Sequence, residues 1–447
     1  MMRLDYGENM ERMRDEDLDA LARSKAEAWH VNCEWVHGTP GCAPGTGQYV
    51  TFDAPGFEKW PALGDWDLIR SYLPHARRYG IKVLAYLNMH WYSYAFADKH
   101  PEWEQRLADG RSYGRVRPLY GNGTTFCVNG PWRDWAFRLI EAAARTGIDG
   151  VFLDGPVVYP GCCYCEACRE RFKADKGEEP PAEEDWNSPL WKAFVAFREA
   201  SMARFLRDAA GALRSVNPEG VIFLNAGNWN AGAWRVARNI EEVGLYQQFN
   251  GAERFYHPGT ESWGSTFEWA LSAKYLAAAG KPAVVFHHHA LGPWHYIPLP
   301  EAEARLAVAE TAACGANPWF GVFNYTLDHS RERAQAGMGR IFGFLERHES
   351  AFDGAVSVAE TAVLYSRSTA TYYVSREDSI YRSYGSGREQ DLVADVGPAA
   401  ERAQSRERRV LCERIYGDEF EGWCTALMRE HVPFDVVLET GLESALE

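Results

Sequence analysis

Short apolar runs alternate with amphipathic segments along most of the chain. The apolar residues of 148–153 lie between glycines, which is typical of a strand buried on both faces. The segment 67–80 has apolar residues at helical spacing and ends at a glycine, which is typical of an amphipathic helix. The same criteria predict further strands at 28–35, 82–88, 221–225, 244–249, 282–286 and 319–324, and further helices at 11–26, 131–146, 189–215, 265–279 and 301–314.

This alternation of strands and helices predicts a parallel α/β fold. A short extended piece at 124–128 adds to the seven strands, so the chain offers eight units, the number in a (β/α)8 barrel. A doubly wound open sheet is the alternative. It is disfavoured because no Gly-x-Gly-x-x-Gly or Walker-type loop follows the early strands. We therefore predict a (β/α)8 TIM barrel over residues 1–350.

The pattern changes in residues 351–447. A new apolar strand at 361–366 is followed by a long polar stretch, an amphipathic helix at 416–431 and a strand at 433–438. This order predicts the start of a second α/β domain. Two strands cannot cover a doubly wound sheet, so we expect the sequence to be a fragment of a longer protein. The alternative is that this piece pairs with another subunit.

Composition and charge narrow the class of ligand. The 447 residues are 46% hydrophobic, enough for two domains, and the formal net charge is -15. This acidic balance argues against nucleic acid or an anionic membrane as partner, since both require basic patches. No apolar stretch approaches the roughly 18 residues of a membrane span, and the N-terminus lacks the apolar core of a signal peptide. We therefore expect a cytoplasmic protein.

A cluster of cysteines is the strongest local motif. Cys163, Cys165 and Cys168 form a Cys-x-Cys-x-x-Cys group, a spacing that lets three thiolates converge on one tetrahedral metal. Cys127 is the preferred fourth ligand, because the adjacent Cys162 would have to turn back sharply. Four sulfur ligands leave no open position, which predicts a structural zinc and excludes a zinc hydrolase. The alternative is that all of these cysteines are reduced thiols.

Polar and aromatic residues recur where the predicted strands end. Such a ring is typical of a pocket at one face of a barrel, and the 17 tryptophans of the chain suit a polyhydroxylated ligand such as a sugar. We predict a carbohydrate substrate. The candidate substrate-binding residues are Glu34, Trp35, Asn88, His90, Trp91, Asn225, His287, His288, Asn324 and Tyr325.

Asp154 is the first catalytic candidate. It comes where the strand 148–153 should end, and barrel enzymes place their chemistry at the carboxyl ends of their strands. The alternative is that Asp154 caps the following helix or turn.

Three segments carry a resemblance to known enzymes. Residues 125–133, 147–155 and 163–172 resemble the zinc-bearing part of glycoside hydrolase family 42 β-galactosidases, and more closely glycosyl hydrolase barrels with a β-galactosidase trimerisation domain. The resemblance implies zinc ligands at Cys127, Cys163, Cys165 and Cys168. It also implies that residues 351–447 begin a flavodoxin-like trimerisation domain and that the full-length protein is a homo-oligomer, a trimer or a dimer.

The sequence departs from family 42 at both catalytic positions. Where that family has an Asn-Glu acid/base pair, this chain has Leu153-Asp154, and where it has a nucleophilic glutamate, this chain has the histidines 287–289. We therefore do not expect β-galactosidase activity. An aspartate at the end of the fourth strand is similar in position to the nucleophile of retaining α-glycosidases, α-L-fucosidases among them.

A retaining mechanism needs a second carboxyl about 5 Å from the first. Glu253 is the first candidate for this acid/base, because it lies nearest the end of the sixth strand, and Glu261 is the second. The sequence thus predicts a glycosidase with Asp154 as nucleophile. The alternative is a non-catalytic carbohydrate-binding barrel in which Asp154 orders ligand hydroxyls.

Overall fold

The fold is taken from a computed structural model. The structure describes residues 1–5, 13–40, 45–119, 122–159, 161–183, 185, 187–225, 237–256, 267–291, 299–321, 327–372 and 416–445.

Eight parallel strands form one sheet, in the order in which they occur along the chain. They are β1 (Leu4–Asp5), β2 (Cys33–His37), β3 (Lys82–Asn88), β4 (Gly150–Asp154), β5 (Val221–Leu224), β6 (Asn250–Tyr256), β7 (Ala283–Leu291) and β8 (Asn317–Gly321). β8 pairs with β1, and a parallel bridge between Asn225 and Gly251 joins β5 to β6. The sheet therefore closes into the predicted (β/α)8 barrel.

Helices follow most of the strands and surround the sheet, so that the strands are covered on their outer face. They are α1 (Leu18–Glu27), α2 (Leu68–Arg78), α3 (Trp132–Ala144), α4 (Glu166–Lys176), α5 (Pro189–Val216), α6 (Ile240–Val243), α7 (Glu268–Ala277), α8 (Glu301–Ala313) and α9 (Leu327–Arg347). Within the described ranges, no helix is long and apolar enough to cross a bilayer.

Two predicted strands differ from the structure. Gly123–Thr124 pairs antiparallel with Tyr92–Ser93 outside the barrel, so the extended piece at 124–128 is not a barrel strand. The two-residue strand β1 supplies the eighth strand instead. Residues 240–246 form helical turns, and the sixth strand begins only at Asn250. The apolar residues of the first piece pack beside the barrel, whereas Phe249, at the end of the second, packs into the barrel interior against Phe223.

A second unit follows the barrel. β9 (Thr361–Tyr365) pairs in parallel with β10 (Phe434–Leu438), and helices α10 (Arg367–Tyr372) and α11 (Tyr416–Arg429) accompany them. The order strand, helix, strand agrees with the pattern seen in the sequence, although residues 373–415 lie outside the described part. Its apolar side packs against α7, where the rings of Tyr275 and Tyr365 are 5.1 Å apart.

Candidate functional site

The carboxyl ends of β4, β5 and β6 bring three polar side chains together. Side chains alternate between the two faces of a strand, and Phe152 and Phe223 point into the barrel. Asp154 and Asn225, each two residues farther along, therefore face the same side. Glu253 lies on the neighbouring strand β6, and its side chain is partly exposed.

Asn225 lies between the two carboxylates. Its Nδ2 is 3.3 Å from Asp154 Oδ1 and 3.1 Å from Glu253 Oε2, so one amide group can donate to both residues. Because one nitrogen lies within hydrogen-bond distance of an oxygen of each residue, the two carboxyl groups are near neighbours. This arrangement is compatible with the roughly 5–5.5 Å between the two carboxyls of a retaining glycosidase.

Asp154 is held on its other side as well. The hydroxyl of Tyr86 donates to Asp154 Oδ2 at 2.7 Å, so both carboxylate oxygens accept a hydrogen bond. The carbonyl of Asp154 accepts from the backbone N–H of Met89 at 2.8 Å and lies 2.8 Å from His90 Nδ1. These contacts fix the orientation of the carboxylate. Asp154 is not the N-cap of the next described helix, which begins at Glu166 after Cys165.

The residue after Asp154 must be a glycine. Gly155 has a φ of 86°, a conformation that side chains disfavour, and a Cβ there would lie 2.7 Å from the Cβ of His90. The chain therefore turns sharply at the end of β4 and leaves the Asp154 side chain at the mouth of the barrel.

Aromatic rings fill the barrel interior below the carboxylates. The rings of Trp35 and Tyr86 stack at 4.7 Å, and those of Phe286 and Trp319 stack at 4.2 Å. The seven rings are Trp35, Tyr86, Phe152, Phe223, Phe249, Phe286 and Trp319. Trp35, predicted to bind substrate, thus belongs to this aromatic layer, with 1% of its surface exposed.

Two predicted substrate-binding residues point away from the pocket. Glu34 is fully buried between the sheet and the helices, where it accepts hydrogen bonds from Lys25 Nζ at 2.6 Å and from the hydroxyl of Tyr72. His287 lies against α8, with its Nε2 2.8 Å from Thr311 Oγ1. Burial lowers the pKa of His287 to about 3, so its imidazole is neutral. Both predictions failed because these residues occupy outward positions of their strands.

The other predicted residues have mixed positions. Asn88 Oδ1 accepts from the backbone N–H groups of His90 and Trp91, at 3.2 Å and 3.1 Å, and so shapes the turn after β3. The ring of His90 reaches Asp154, as described above. His288 lies in β7, but its side chain is outside the described part. Three predicted residues, Glu261, Asn324 and Tyr325, are themselves outside it.

Two residues escaped the sequence analysis: Tyr86, which contacts Asp154, and His37, which contacts Tyr86. Tyr86 and His37 lie at inward positions of β3 and β2, and their rings are 5.7 Å apart in an edge contact. The strand alternation could have identified them, because Tyr86 is two residues before Asn88 and His37 is two residues after Trp35.

The predicted cysteine cluster converges beside the barrel mouth. The sulfur atoms of Cys127, Cys163, Cys165 and Cys168 lie within 4.8 Å of one another, and all four residues are buried. A tetrahedral zinc with bonds of about 2.3 Å would set its sulfurs about 3.8 Å apart. Cys162 is buried nearby, but within the described residues its sulfur is not one of the four that converge.

The surroundings of the sulfurs suit thiolates. The backbone N–H of Asn129 is 3.4 Å from Cys127 Sγ, and its side-chain Nδ2 is 3.3 Å from Cys168 Sγ. Hydrogen bonds from the thiols of Cys127, Cys163 and Cys168 lower the pKa of Cys165, whereas the neighbouring sulfurs and burial raise the pKa of Cys127 and of Cys168, so four thiolates here need a cation between them. The donor set and its spacing therefore fit a metal ion such as zinc.

The segment between Asp154 and the cysteines is anchored at several carbonyls. The buried guanidinium of Arg198 donates to the carbonyls of Cys162, Val158 and Tyr159 at 2.6–3.1 Å. The side chain of Gln105 donates to the carbonyl of Val157 at 2.6 Å. The cysteine cluster and the end of β4 thus form one connected structure.

Comparisons with known proteins agree with this architecture. Residues 18–155 match the family model described as Hypothetical glycosyl hydrolase 6. This segment begins at α1 and ends just past Asp154, so it includes β2, β3 and β4. No curated protein matches the chain in sequence.

Solved glycosidases have a similar fold. α-L-fucosidase isoenzyme 2 from Paenibacillus thiaminolyticus is 20% identical, with a TM-score of 0.62 over 82% of this chain and 52% of its own. The β-galactosidase from Rahnella sp. R3 is 15% identical, with a TM-score of 0.64 over 98% of this chain and 65% of its own. The β-galactosidase from Halorubrum lacusprofundi is 16% identical, with a TM-score of 0.63 over 98% and 67%.

The chain spans between about half and two thirds of the length of these structures. At such low identities the likeness concerns the fold. In sequence over residues 18–155, and in fold over most of its length, the chain resembles glycosyl hydrolase barrels.

Proposed function

We propose that this protein is a retaining glycoside hydrolase, with Asp154 as the nucleophile and Glu253 as the acid/base. The observation that carries the proposal is the pair of carboxylates bridged by Asn225 at the mouth of a (β/α)8 barrel. The match to a glycosyl hydrolase family model supports the same class of reaction.

The proposed reaction has two steps. In the first, Asp154 attacks the anomeric carbon while Glu253 donates a proton to the departing glycosidic oxygen, and a glycosyl ester forms on Asp154. In the second, Glu253 takes a proton from a water molecule while the water oxygen bonds to the anomeric carbon; the ester bond to Asp154 breaks, which releases the sugar and the Asp154 carboxylate. The hydrogen bonds from Tyr86 and Asn225 hold the Asp154 carboxylate toward the substrate.

The site supports a sugar as substrate. The polar groups at the strand ends, the carboxylates of Asp154 and Glu253 and the amide of Asn225, suit the hydroxyls of a sugar. The position of Asp154 favours an α-glycosidase, similar to α-L-fucosidases, over a β-galactosidase-like specificity.

We also propose that the four converging cysteines hold a structural zinc ion. The bound ion would hold together the segments that carry Cys127 and Cys163, and so keep the chain after Asp154 in place. With four protein sulfurs it would have no open position for water. It would therefore take no part in the hydrolysis.

The test is a panel of α- and β-linked aryl glycosides, hydrolysed by the wild type and by Asp154→Asn. We expect one linkage to be cleaved, and the variant to lose about three orders of magnitude in rate while melting at the wild-type temperature. Glu253→Gln and Glu261→Gln then identify the acid/base. If no glycoside is hydrolysed but a sugar binds, the protein is a carbohydrate-binding barrel and the proposal fails.

A further inference from the structure

One buried residue donates to two of the four converging sulfurs. Asn129 lies in the turn before α3, which is closed by a hydrogen bond from the backbone N–H of Gly130 to the carbonyl of Cys127 at 3.2 Å. The backbone N–H of Asn129 is 3.4 Å from Cys127 Sγ, and its side-chain Nδ2 is 3.3 Å from Cys168 Sγ. Asn129 therefore contacts sulfurs that come from two different segments of the chain.

The hydroxyl of Ser201, on α5, determines which end of the Asn129 amide faces Cys168. Ser201 Oγ donates its one hydrogen to the carbonyl of Phe197 at 2.7 Å and accepts from Arg204 Nη2 at 2.9 Å. Toward Asn129, 2.9 Å away, this oxygen can therefore only accept, so the amide atom there is the donor Nδ2. The second hydrogen of the same nitrogen is then available to Cys168 Sγ.

The other two sulfurs accept hydrogen bonds from backbone groups. The N–H of Arg106 is 3.5 Å from Cys163 Sγ, and the N–H of Cys168 donates to Cys165. Each of the four sulfurs thus has an N–H donor, and within the described residues only the Asn129 amide among these donors belongs to a side chain. It is consequently the donor that a single substitution can remove.

Such donors matter because of the charge of the proposed site. Four thiolates around one zinc ion leave an excess of two negative charges, and excess charge is costly in a buried position. N–H groups that point at the sulfurs offset part of this cost. Removing a polar partner of a metal ligand typically lowers the metal affinity by about 10- to 100-fold.

We propose that Asn129 is a positioning residue for the metal ligands: its amide stabilises the thiolate of Cys168 and joins the cluster to α5 through Ser201. The inference rests on the proposed zinc site and is independent of the proposed hydrolysis. Retention of the metal would accordingly depend on a residue that does not itself bind the ion.

The experiment compares Asn129→Ala and Asn129→Asp with the wild type. Alanine removes the side-chain donor and keeps the backbone N–H, whereas aspartate keeps the shape but places a carboxylate oxygen against Cys168 Sγ. Asn217→Ala is the matched control, because Asn217 Nδ2 donates to the carbonyl of Ile148 at 3.0 Å and not to a sulfur. Zinc affinity is measured by competition with a chromogenic chelator. The sulfur-to-metal charge-transfer band is recorded after Co²⁺ replaces zinc.

We expect the zinc affinity to fall by about 10- to 100-fold in Asn129→Ala, to fall further in Asn129→Asp, and to stay at the wild-type value in Asn217→Ala. The Co²⁺ band of Asn129→Ala should move to longer wavelength, because a sulfur that loses a hydrogen-bond donor gives up an electron more readily. If neither Asn129 variant folds, Ser201→Ala, which frees the amide from α5, should lower the affinity by a smaller factor.

Unchanged zinc affinity and an unmoved band in the folded variants would overturn the inference, even if their melting temperatures fall, because Asn129 would then only support the fold. Unchanged affinity in Ser201→Ala would overturn it as well. A wild type that binds neither zinc nor Co²⁺ would instead overturn the proposed metal site itself.

Discussion

At the scale of single residues, the account depends on which group each carboxylate contacts. Asp154 accepts hydrogen bonds from Tyr86 and Asn225 and lies at the barrel mouth, whereas Glu34 is paired with Lys25 behind the sheet. A carboxylate thus lies at the proposed catalytic position in one place and in a buried ion pair in the other. Substitutions separate the two roles.

Tyr86→Phe tests the support of the proposed nucleophile. The ring would keep its stacking on Trp35, but the hydrogen bond to Asp154 would be lost. A hydrogen bond to a charged group contributes about 1.5–3 kcal/mol, so we expect kcat/KM to fall by about 10- to 160-fold at an unchanged melting temperature. Tyr79→Phe is the matched control, because Tyr79 donates to the remote Asp19 at 2.8 Å. Equal activity in both variants would contradict the assignment.

Lys25→Met tests the corrected placement of Glu34. Breaking a buried pair by removing one partner costs about 3–5 kcal/mol, and we expect the free energy of unfolding to fall by that amount. Because the pair lies away from the pocket, KM should not change in the folded fraction. The double variant Lys25→Met/Glu34→Leu should recover most of the stability. A raised KM in the double variant would show that Glu34 binds substrate after all.

At the scale of elements, two features are predicted to affect the stability of the barrel: the cysteine cluster beside β4 and Glu310 on α8. The cluster joins Cys127, which precedes α3, to the start of α4. Glu310, on helix α8, is partly buried, and its Oε2 has no hydrogen-bond partner among the described residues.

Cys127→Ser tests the proposed metal site. We expect the purified wild type to contain about one zinc per chain, and the variant to lose it together with several degrees of melting temperature. Cys162→Ser is the control, because its sulfur is not one of the four that converge within the described residues. Metal analysis and thermal melting give the answer. If Cys162→Ser loses the metal and Cys127→Ser keeps it, Cys162 and not Cys127 is the fourth ligand.

Glu310 predicts a pH dependence of stability. Burial raises the pKa of Glu310 from 4.5 to about 7, so the folded protein keeps a proton that the unfolded chain releases in this range. The free energy of unfolding should therefore fall as the pH rises from about 4.5 to about 7. Glu310→Gln should flatten this slope, and Glu303→Gln, at an exposed position of the same helix, should not. Urea unfolding at several pH values measures the free energy of unfolding. An unchanged slope in Glu310→Gln would show that Glu310 does not cause the pH dependence.

At the scale of the whole molecule, the alternation of strands and helices was sufficient to predict the barrel, because it depends on burial over many residues. It could not predict β1, since two residues carry no periodicity and pair only because β8 and β2 lie on either side. Asp154 and the cysteines were predicted because each carries a local motif. Glu34 and His287 were misplaced because the face of a strand depends on its register, which the predicted bounds did not fix.

The contact of the second unit with the barrel was also beyond the sequence. Arg367 and Glu241 lie 126 positions apart, and nothing in either segment indicates the other. That the full-length protein is a homo-oligomer is still a prediction from the resemblance. The roles proposed for the barrel and its carboxylates can be tested without knowing the oligomeric state.

The most direct test of the central claim is to trap the glycosyl ester. The protein is incubated with a 2-fluoro aryl glycoside of the sugar that the panel identifies, because the fluorine slows the second step and lets the ester accumulate. Peptide mass analysis should then find one sugar unit on the peptide that contains Asp154, and none on this peptide in Asp154→Asn. A wild type that hydrolyses glycosides but carries the sugar on another residue, or on none, would contradict the account.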